Sequence, residues 1–281
     1  KNEFKDNSGS RSQIALASFF GRLNYNYDNR YLFEANLRYD GSSRFAKKNR
    51  WGIFPSFSAA WRLSEEAFMD STREVITEAK IRASYGTQGN ESMLNYTPYQ
   101  DLWSVTWDGS QLGYTPSFYG NPDLSWEKQT TIDAGVDFRL WDRVYGSLDY
   151  YNRRTHDLIW SRPTPASTGL SSRLENVGVL GNVGFEFDVT VDLIKNQNVY
   201  WNVAINGAFS QNKLIEFPAE LGNPALGGNY VSGRYLRGEG KSYYNLYLFD
   251  YAGVNPENGN ELFWKDVKDA EGNIVEIKCT Y

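Results

Sequence analysis

Apolar and polar positions alternate along most of the chain, most clearly from Phe19 to Asp40, FFGRLNYNYDNRYLFEANLRYD. In its first half Phe19, Gly21, Leu23, Tyr25 and Tyr27 alternate with Phe20, Arg22, Asn24, Asn26 and Asp28. In its second half Tyr31, Phe33, Ala35, Leu37 and Tyr39 alternate with Leu32, Glu34, Asn36, Arg38 and Asp40. Side chains of a strand point to opposite faces in turn, so the pattern predicts two strands, each with one apolar and one polar, charged face. Asp28-Asn29 predicts the tight turn between them, because both types tolerate a left-handed backbone. Each arm matches the roughly 9–11 residues of a membrane-crossing strand. Tyr27 and Tyr31 beside the turn, and Tyr39 at the far end, put rings where two membrane interfaces would lie. One hairpin of a soluble β-sandwich alternates equally well, so this stretch leaves both architectures open.

The same period predicts six more strands. Trp51–Leu63 is the third, with Ile53, Pro55, Phe57, Ala59, Trp61 and Leu63 on one face. Pro55 lacks a ladder donor and predicts a bulge or the rim of the sheet there. Ser64–Glu78 is expected to hold a helix capped by Ser64. Lys80–Gly86 is the fourth strand and Ser125–Leu140 the fifth, with Trp126 on the face of Ile132. A turn at Trp141-Asp142-Arg143 leads to the sixth, from Val144 to Tyr151. Val183–Ile194 and Val199–Ser210 are the seventh and eighth, joined by a polar turn at Lys195–Asn198. Beyond Asn212 strand signals are weak, near Tyr230–Leu236, Tyr243–Tyr251 and Glu261–Trp264.

The connections sort by length. Short links fall at Asp28, Trp141 and Lys195, and longer ones at Gly41, Thr87 and Arg153; the Ser64 link lies on the short side. Short turns at one rim and long loops at the other describe an all-β, antiparallel up-and-down transmembrane β-barrel, with turns in the periplasm and loops outside. A soluble sandwich has no reason to sort its loops by side. The alternative that keeps the strands is a soluble or secreted β-rich carbohydrate-binding module.

Composition narrows the choice. Apolar residues are 41% of 281 and mean hydropathy is −0.58. No run approaches the roughly 18 apolar residues of a membrane helix, so any membrane span must be β. Aromatic residues reach 16%, and rings with one wet end suit membrane interfaces and sugar-binding surfaces. The net charge of −5 gives no electrostatic reason for nucleic-acid binding. One cysteine, Cys279, excludes an internal disulfide framework and a multi-cysteine metal site. Lys1–Arg11 has no apolar core, so no signal peptide is read there; both ends are expected to be truncated from a longer precursor.

Enzymatic readings are poor. Glu34, Arg38, Arg62, Asp133, Asp137 and Asp149 lie on the polar strand faces, where cross-strand ion pairs are expected and a ligand role is the sharper alternative. Asp133 and Asp137 as a glycosidase pair would stand about 13 Å apart on one strand, beyond the roughly 5–9.5 Å that the reaction needs. His156 is the only histidine, and nothing resembles a nucleophile elbow around which a triad could be built. Asn255–Asn260 could offer oxygen ligands but lacks EF-hand spacing, and Asn90-Glu91-Ser92 fits a glycosylation acceptor, a match that is discounted. No cofactor or metal is expected. Trp103, Trp107, Tyr114, Phe118, Tyr119 and Trp160 sit on the long loops. They are the candidate ligand-binding residues, against the plainer reading that they pack loop on loop.

Several phrases together carry a family resemblance. They are RLNYNYDNRYLFEANLRYDGSSRFAKKNRWGIFPSFSAAWRLSEEAF, KIRASYGTQGN, GNPDLSWEKQTTIDAGVDF, GSLDYYNRRTHDLIW, ENVGVLGNVGFEFDV and YAGVNPENGNELFW. In this order the chain resembles the SusC/RagA family of TonB-dependent outer-membrane nutrient receptors. The resemblance implies that residues 1–281 are part of a single receptor barrel domain of about 22 strands, its middle-to-late third, with the plug and the final strands absent. It also implies the outer membrane of a Gram-negative bacterium, with import of oligosaccharides or peptides powered through TonB. A SusD-like surface lipoprotein is the implied partner. Val183 and Phe185 depart from the residues usual in the family at those positions.

Overall fold

The computed structural model describes residues 11–92, 95–109, 111–268 and 274–280. Its main sheet holds eight strands in sequence order: β1 (Leu16–Tyr27), β2 (Tyr31–Ser42), β3 (Trp51–Arg62), β4 (Ile76–Asn90), β5 (Glu127–Leu140), β6 (Val144–His156), β7 (Val179–Lys195) and β8 (Tyr200–Glu216). Every neighbouring pair is antiparallel. The predicted strands are all present, in an up-and-down meander.

Register makes the period-2 pattern collective. Tyr25, Phe33, Ala59, Ala83, Ala134, Tyr150, Phe185 and Phe209 stand opposite one another in one unbroken row. One residue earlier or later on each strand, Asn24, Glu34, Ser58, Ser84, Asp133, Tyr151, Gly184 and Ser210 form a row on the other face. A slip of one residue at any pair would mix the rows. The apolar face is uncovered: Phe57 is 55% exposed and Phe209 70%. Val183 and Phe185 lie on this apolar face, which accounts for apolar residues there.

The short rim uses left-handed backbone where the sequence offers Asp and Asn. Asp28 and Asn29 both have φ +52°, and the Arg30 N–H donates to the Tyr27 carbonyl at 3.0 Å. Trp141 (φ +49°) and Asp142 (φ +56°) repeat this geometry, closed by the Arg143 N–H on the Leu140 carbonyl at 3.0 Å. At the third short link the Asn196 side chain accepts from the backbone N–H groups of Asn198 and Val199.

Several expectations need correction. Ser64–Glu78 is not a helix capped by Ser64 but two 3-10 turns, Leu63–Glu65 and Ala67–Thr72, and no side chain caps either one. β4 exceeds Lys80–Gly86 at both ends, because polar residues such as Gln88 and Asn90 pair with Gln129 and Glu127 of β5; the ladder overrides the missing apolar signal. Pro55 marks neither a bulge nor a rim in the β2–β3 pair, where it stands opposite Leu37. Instead the β3–β4 ladder ends next to it, at Ser56 opposite Gly86, and the Thr87 hydroxyl donates to the Pro55 carbonyl at 3.0 Å. Trp126 precedes β5 and does not join its apolar face. It is 5% exposed and packs with Phe45, Phe54 and Leu124.

Among the described residues that cluster is the hydrophobic core, and it sits at the long rim. Trp126 meets Phe45 and Phe54 at ring-centroid distances of 5.2 and 5.5 Å, and its indole N–H donates to the Arg50 carbonyl at 3.0 Å. Phe54 fits because its neighbours are glycines: a Cβ at Gly89 would stand 2.1 Å from its ring, and one at Gly52 2.5 Å. Beyond β8 the weak signals resolve into a small hairpin, Tyr230–Ser232 with Tyr235–Arg237, and a three-stranded sheet of Asp250–Val254, Glu261–Lys268 and Ile274–Thr280. The expected strand over Tyr243–Tyr251 starts only at Asp250.

Candidate functional site

The long loops gather at one rim, and the connection between β4 and β5 carries a hairpin of its own, Leu102–Asp108 paired with Gln111–Phe118. Its register sets Trp103 opposite Pro116, Val105 opposite Tyr114 and Trp107 opposite Leu112. Trp103, Val105, Trp107, Leu112 and Tyr114 therefore share one face, and all are exposed, Trp107 at 70%. The opposite face is polar, with the hydroxyls of Thr106 and Thr115 3.2 Å apart. Phe118 pairs with Leu102 across a register shift and is half-buried. The structure thus brings Trp103, Trp107 and Tyr114 together. Val105 and Leu112 complete their face and were missed, although the alternation of Leu102–Trp107 carries the signal for Val105; Leu112 joins through its pairing with Trp107.

Tyr119 and Trp160 have different work. The Tyr119 hydroxyl donates to the Thr168 carbonyl at 2.7 Å and ties the β4–β5 loop to the β6–β7 loop. The same two loops are joined by Asn121 on the Leu174 carbonyl (2.9 Å), Arg173 on the Gly120 carbonyl (3.2 Å), and a reciprocal pair between Ser125 and Asn176. Between them lies a cleft of about 520 Å³ lined by Tyr99, Asp101, Tyr119, Pro122, Thr168 and Arg173. Trp160 sits edge-on to Phe217 and Tyr243, at 6.0 and 5.8 Å, and the Arg237 guanidinium stacks over Trp160 at 4.9 Å and Tyr243 at 4.2 Å. This cation–π cluster joins residues far apart in sequence, so no local pattern announces it. It gives Trp160 partners that all lie outside the hairpin.

The inner face is bound by ion pairs, as its charges led one to expect. Lys80 and Arg82 of β4 both reach Asp137 of β5, at 2.9 and 3.1 Å, and Arg82 continues to Asp149 of β6 at 2.5 Å. Arg82 crosses β5 over Gly135, where a Cβ would stand 2.3 Å from an Asp149 oxygen. Arg22 pairs with Glu34 at 2.5 Å and Arg38 with Asp40 at 3.1 Å, and the Ser84 hydroxyl donates to Asp133 at 3.1 Å. Arg62 pairs with Glu65 at 3.3 Å. Asp133 and Asp137 are thus engaged with separate partners on β4, which gives them no joint access to a bond. His156 ends β6 opposite Lys128 and Val179. In Asn255–Asn260 the Asn255 and Asn258 side chains accept from backbone N–H groups, as a turn requires. Among the described residues no three His, Cys, Asp or Glu converge on a metal position.

Two carboxylates outside the strands are held below the ordinary range. Glu66 accepts from the Tyr31 hydroxyl (2.7 Å) and the Trp61 indole (2.9 Å), with Arg30 at 3.4 Å, and these donors favour its charged form. Asp123 is lowered by its hydrogen bond with Lys48.

The chain is similar to known proteins over nearly its whole length. Residues 2–271 match the family described as TonB dependent receptor-like, beta-barrel. TonB-dependent receptor P3 of Formosa agariphila is 35% identical over 250 residues, 86% of this chain and 25% of that protein. TonB-dependent receptor SusC of Bacteroides thetaiotaomicron is 31% identical over 277 residues, 92% of this chain and 27% of that protein. A solved structure of the RagAB peptide importer in its closed-closed state superposes with a TM-score of 0.80 at 27% identity, over 95% of this chain and 29% of that one. The chain therefore spans about a quarter of the length of the curated relatives it matches. The eight-stranded wall is a partial barrel segment, and the chain belongs to the TonB-dependent receptor β-barrel family.

Proposed function

We propose that the full-length protein is an active-transport receptor of the Gram-negative outer membrane, importing oligosaccharides, or peptides, in a TonB-dependent manner with a SusD-like surface lipoprotein. The apolar row running unbroken across all eight strands carries this reading. A face of that breadth needs an apolar solvent, and closed barrels meet it with lipid while keeping a polar lumen. A soluble carbohydrate-binding module would need a second sheet over that face; the described residues supply none. Residues 1–281 are then one part of the barrel domain, in line with about 22 strands in all, and the plug that contacts TonB belongs to the protein outside this chain. Trp103, Trp107 and Tyr114, on the outer side by this reading, are the residues proposed to stack on substrate or to meet the lipoprotein. Phe118, Tyr119 and Trp160 support them by holding the loops in place. Oligosaccharide is the first choice, since exposed rings on one shared face suit sugar stacking; similar solved structures also include the RagAB peptide importer.

The test is uptake of fluorescent oligosaccharide and peptide pools by cells expressing the full-length parent. Accumulation that a protonophore abolishes, and that falls on combined Trp103→Ala and Trp107→Ala substitution, is the expected result. Accumulation indifferent to the proton gradient would overturn the proposal.

A further inference from the structure

The connection between β3 and β4, residues 63–75, is much longer than the other short-rim turns, and it is ordered without a core. Ser64 is the only residue buried in its two 3-10 turns. Order comes from backbone bonds: Glu66 N–H to Leu63, Met69 N–H to Glu66 and Val75 N–H to Thr72, all at 2.9–3.0 Å, with the Trp141 N–H closing on Val75 at 2.7 Å. One side chain decides where the segment lies. Glu66 accepts from the Tyr31 hydroxyl and the Trp61 indole, which stand opposite each other on the apolar outer face and stack at 6.2 Å. Such rings at a barrel rim turn their polar ends toward the headgroup region. Here a carboxylate of the connection occupies those polar ends and draws the chain against the outside of the wall. The next two residues are Ala67 and Phe68, both exposed, Phe68 at 64%.

We infer that residues 63–75 form an interfacial anchor whose Ala67-Phe68 corner inserts among the phospholipid acyl chains of the periplasm-facing leaflet. The inference rests on the membrane reading proposed above. Charge argues for insertion over headgroup capture. Between Arg62 and Glu74 the segment has four acids against two bases, and both bases are already paired, Arg62 with Glu65 and Arg73 with Asp70. The attraction is therefore apolar, in continuity with the lipid-facing row above it, and does not depend on anionic lipid.

The experiment places the photo-cross-linker p-benzoyl-phenylalanine at position 68 of the full-length receptor in phospholipid vesicles. The same probe at Phe57, in the middle of the apolar face, is the control. Lipid adducts at both positions, unchanged when anionic lipid is omitted and lost at position 68 alone on adding Glu66→Ala, are expected. Adducts at 57 with none, or only protein adducts, at 68 would overturn the anchor and leave the import reading standing. Lipid adducts at 68 that survive Glu66→Ala would overturn the role given to that carboxylate. Absence of lipid adducts at 57 would overturn the membrane reading, and the anchor with it.

Discussion

The wall and the long rim are built for different surroundings. In the wall, large apolar side chains such as Phe57, Ile132 and Phe209 are left uncovered, and the polar side chains facing the lumen are joined by ion pairs. At the long rim the order is that of a water-soluble protein: Phe45, Phe54, Leu124 and Trp126 close on one another, and loop is tied to loop by hydrogen bonds. On the import reading proposed above, the wall takes its apolar contacts from lipid, while the rim supplies its own. Damage to one should leave the other standing.

The largest effect is expected at the rim. Trp126→Ala removes the centre of the only buried cluster among the described residues, a loss of about 3–5 kcal/mol by the usual range for buried aromatics. In the full-length receptor it should speed proteolysis within residues 91–126 while heat-modifiable migration of the barrel persists. Loss of both together would break the separation of wall and rim. Next comes Ile132→Lys on the outer face, expected to cost about 2–4 kcal/mol near the bilayer midplane. Its chain neighbour Thr131→Lys, on the lumen side, should cost far less; equal costs in denaturant unfolding from vesicles would contradict the assignment of faces. Gly135→Ala crowds Arg82 and Asp149 and should cost about 1–3 kcal/mol, as overpacking does, measured in the same unfolding experiment.

A smaller effect follows from Glu66. Its folded-state pKa is lowered, so below the ordinary carboxylate range the unfolded segment binds more protons, and stability there rises with pH. The contribution is complete above the usual Glu value of about 4.3 and is lost as pH falls through the lowered one. Trp61 fluorescence should report a step in that acid window, absent in Glu66→Gln; an unchanged step would contradict the hydrogen-bond cause. Smallest of all, Trp107→Ala should shift stability by no more than about 0.5 kcal/mol while lowering uptake.

Legibility in the sequence divides along the same line. The wall was readable because period 2 is local: Tyr31, Phe33, Ala35 and Leu37 declare their face without any partner, and Asp28-Asn29 declares its turn. The rim was not, because its order is tertiary. Trp126 fits the alternation of β5 yet belongs to a core formed with Phe45 and Phe54. Trp160 looks like a free loop ring until Arg237 and Tyr243 arrive from much later in the chain. Of the six candidate rings, Trp103 and Trp107 could have been grouped by the alternation in Leu102–Trp107, while Tyr114 joins them only through the hairpin register that sets it opposite Val105. The ties of Tyr119 and Trp160 could not, since they depend on where three loops meet. Ser64 misled for a related reason: its sequence context resembles a helix cap, but the chain there is drawn to the wall by Glu66.

The most direct test of the account is fractionation of cells expressing the full-length parent, extracted with and without detergent. Recovery from the outer membrane only with detergent, as a heat-modifiable species, is the predicted result. Recovery as a soluble monomer without detergent would contradict the claim that the wall's apolar face meets lipid.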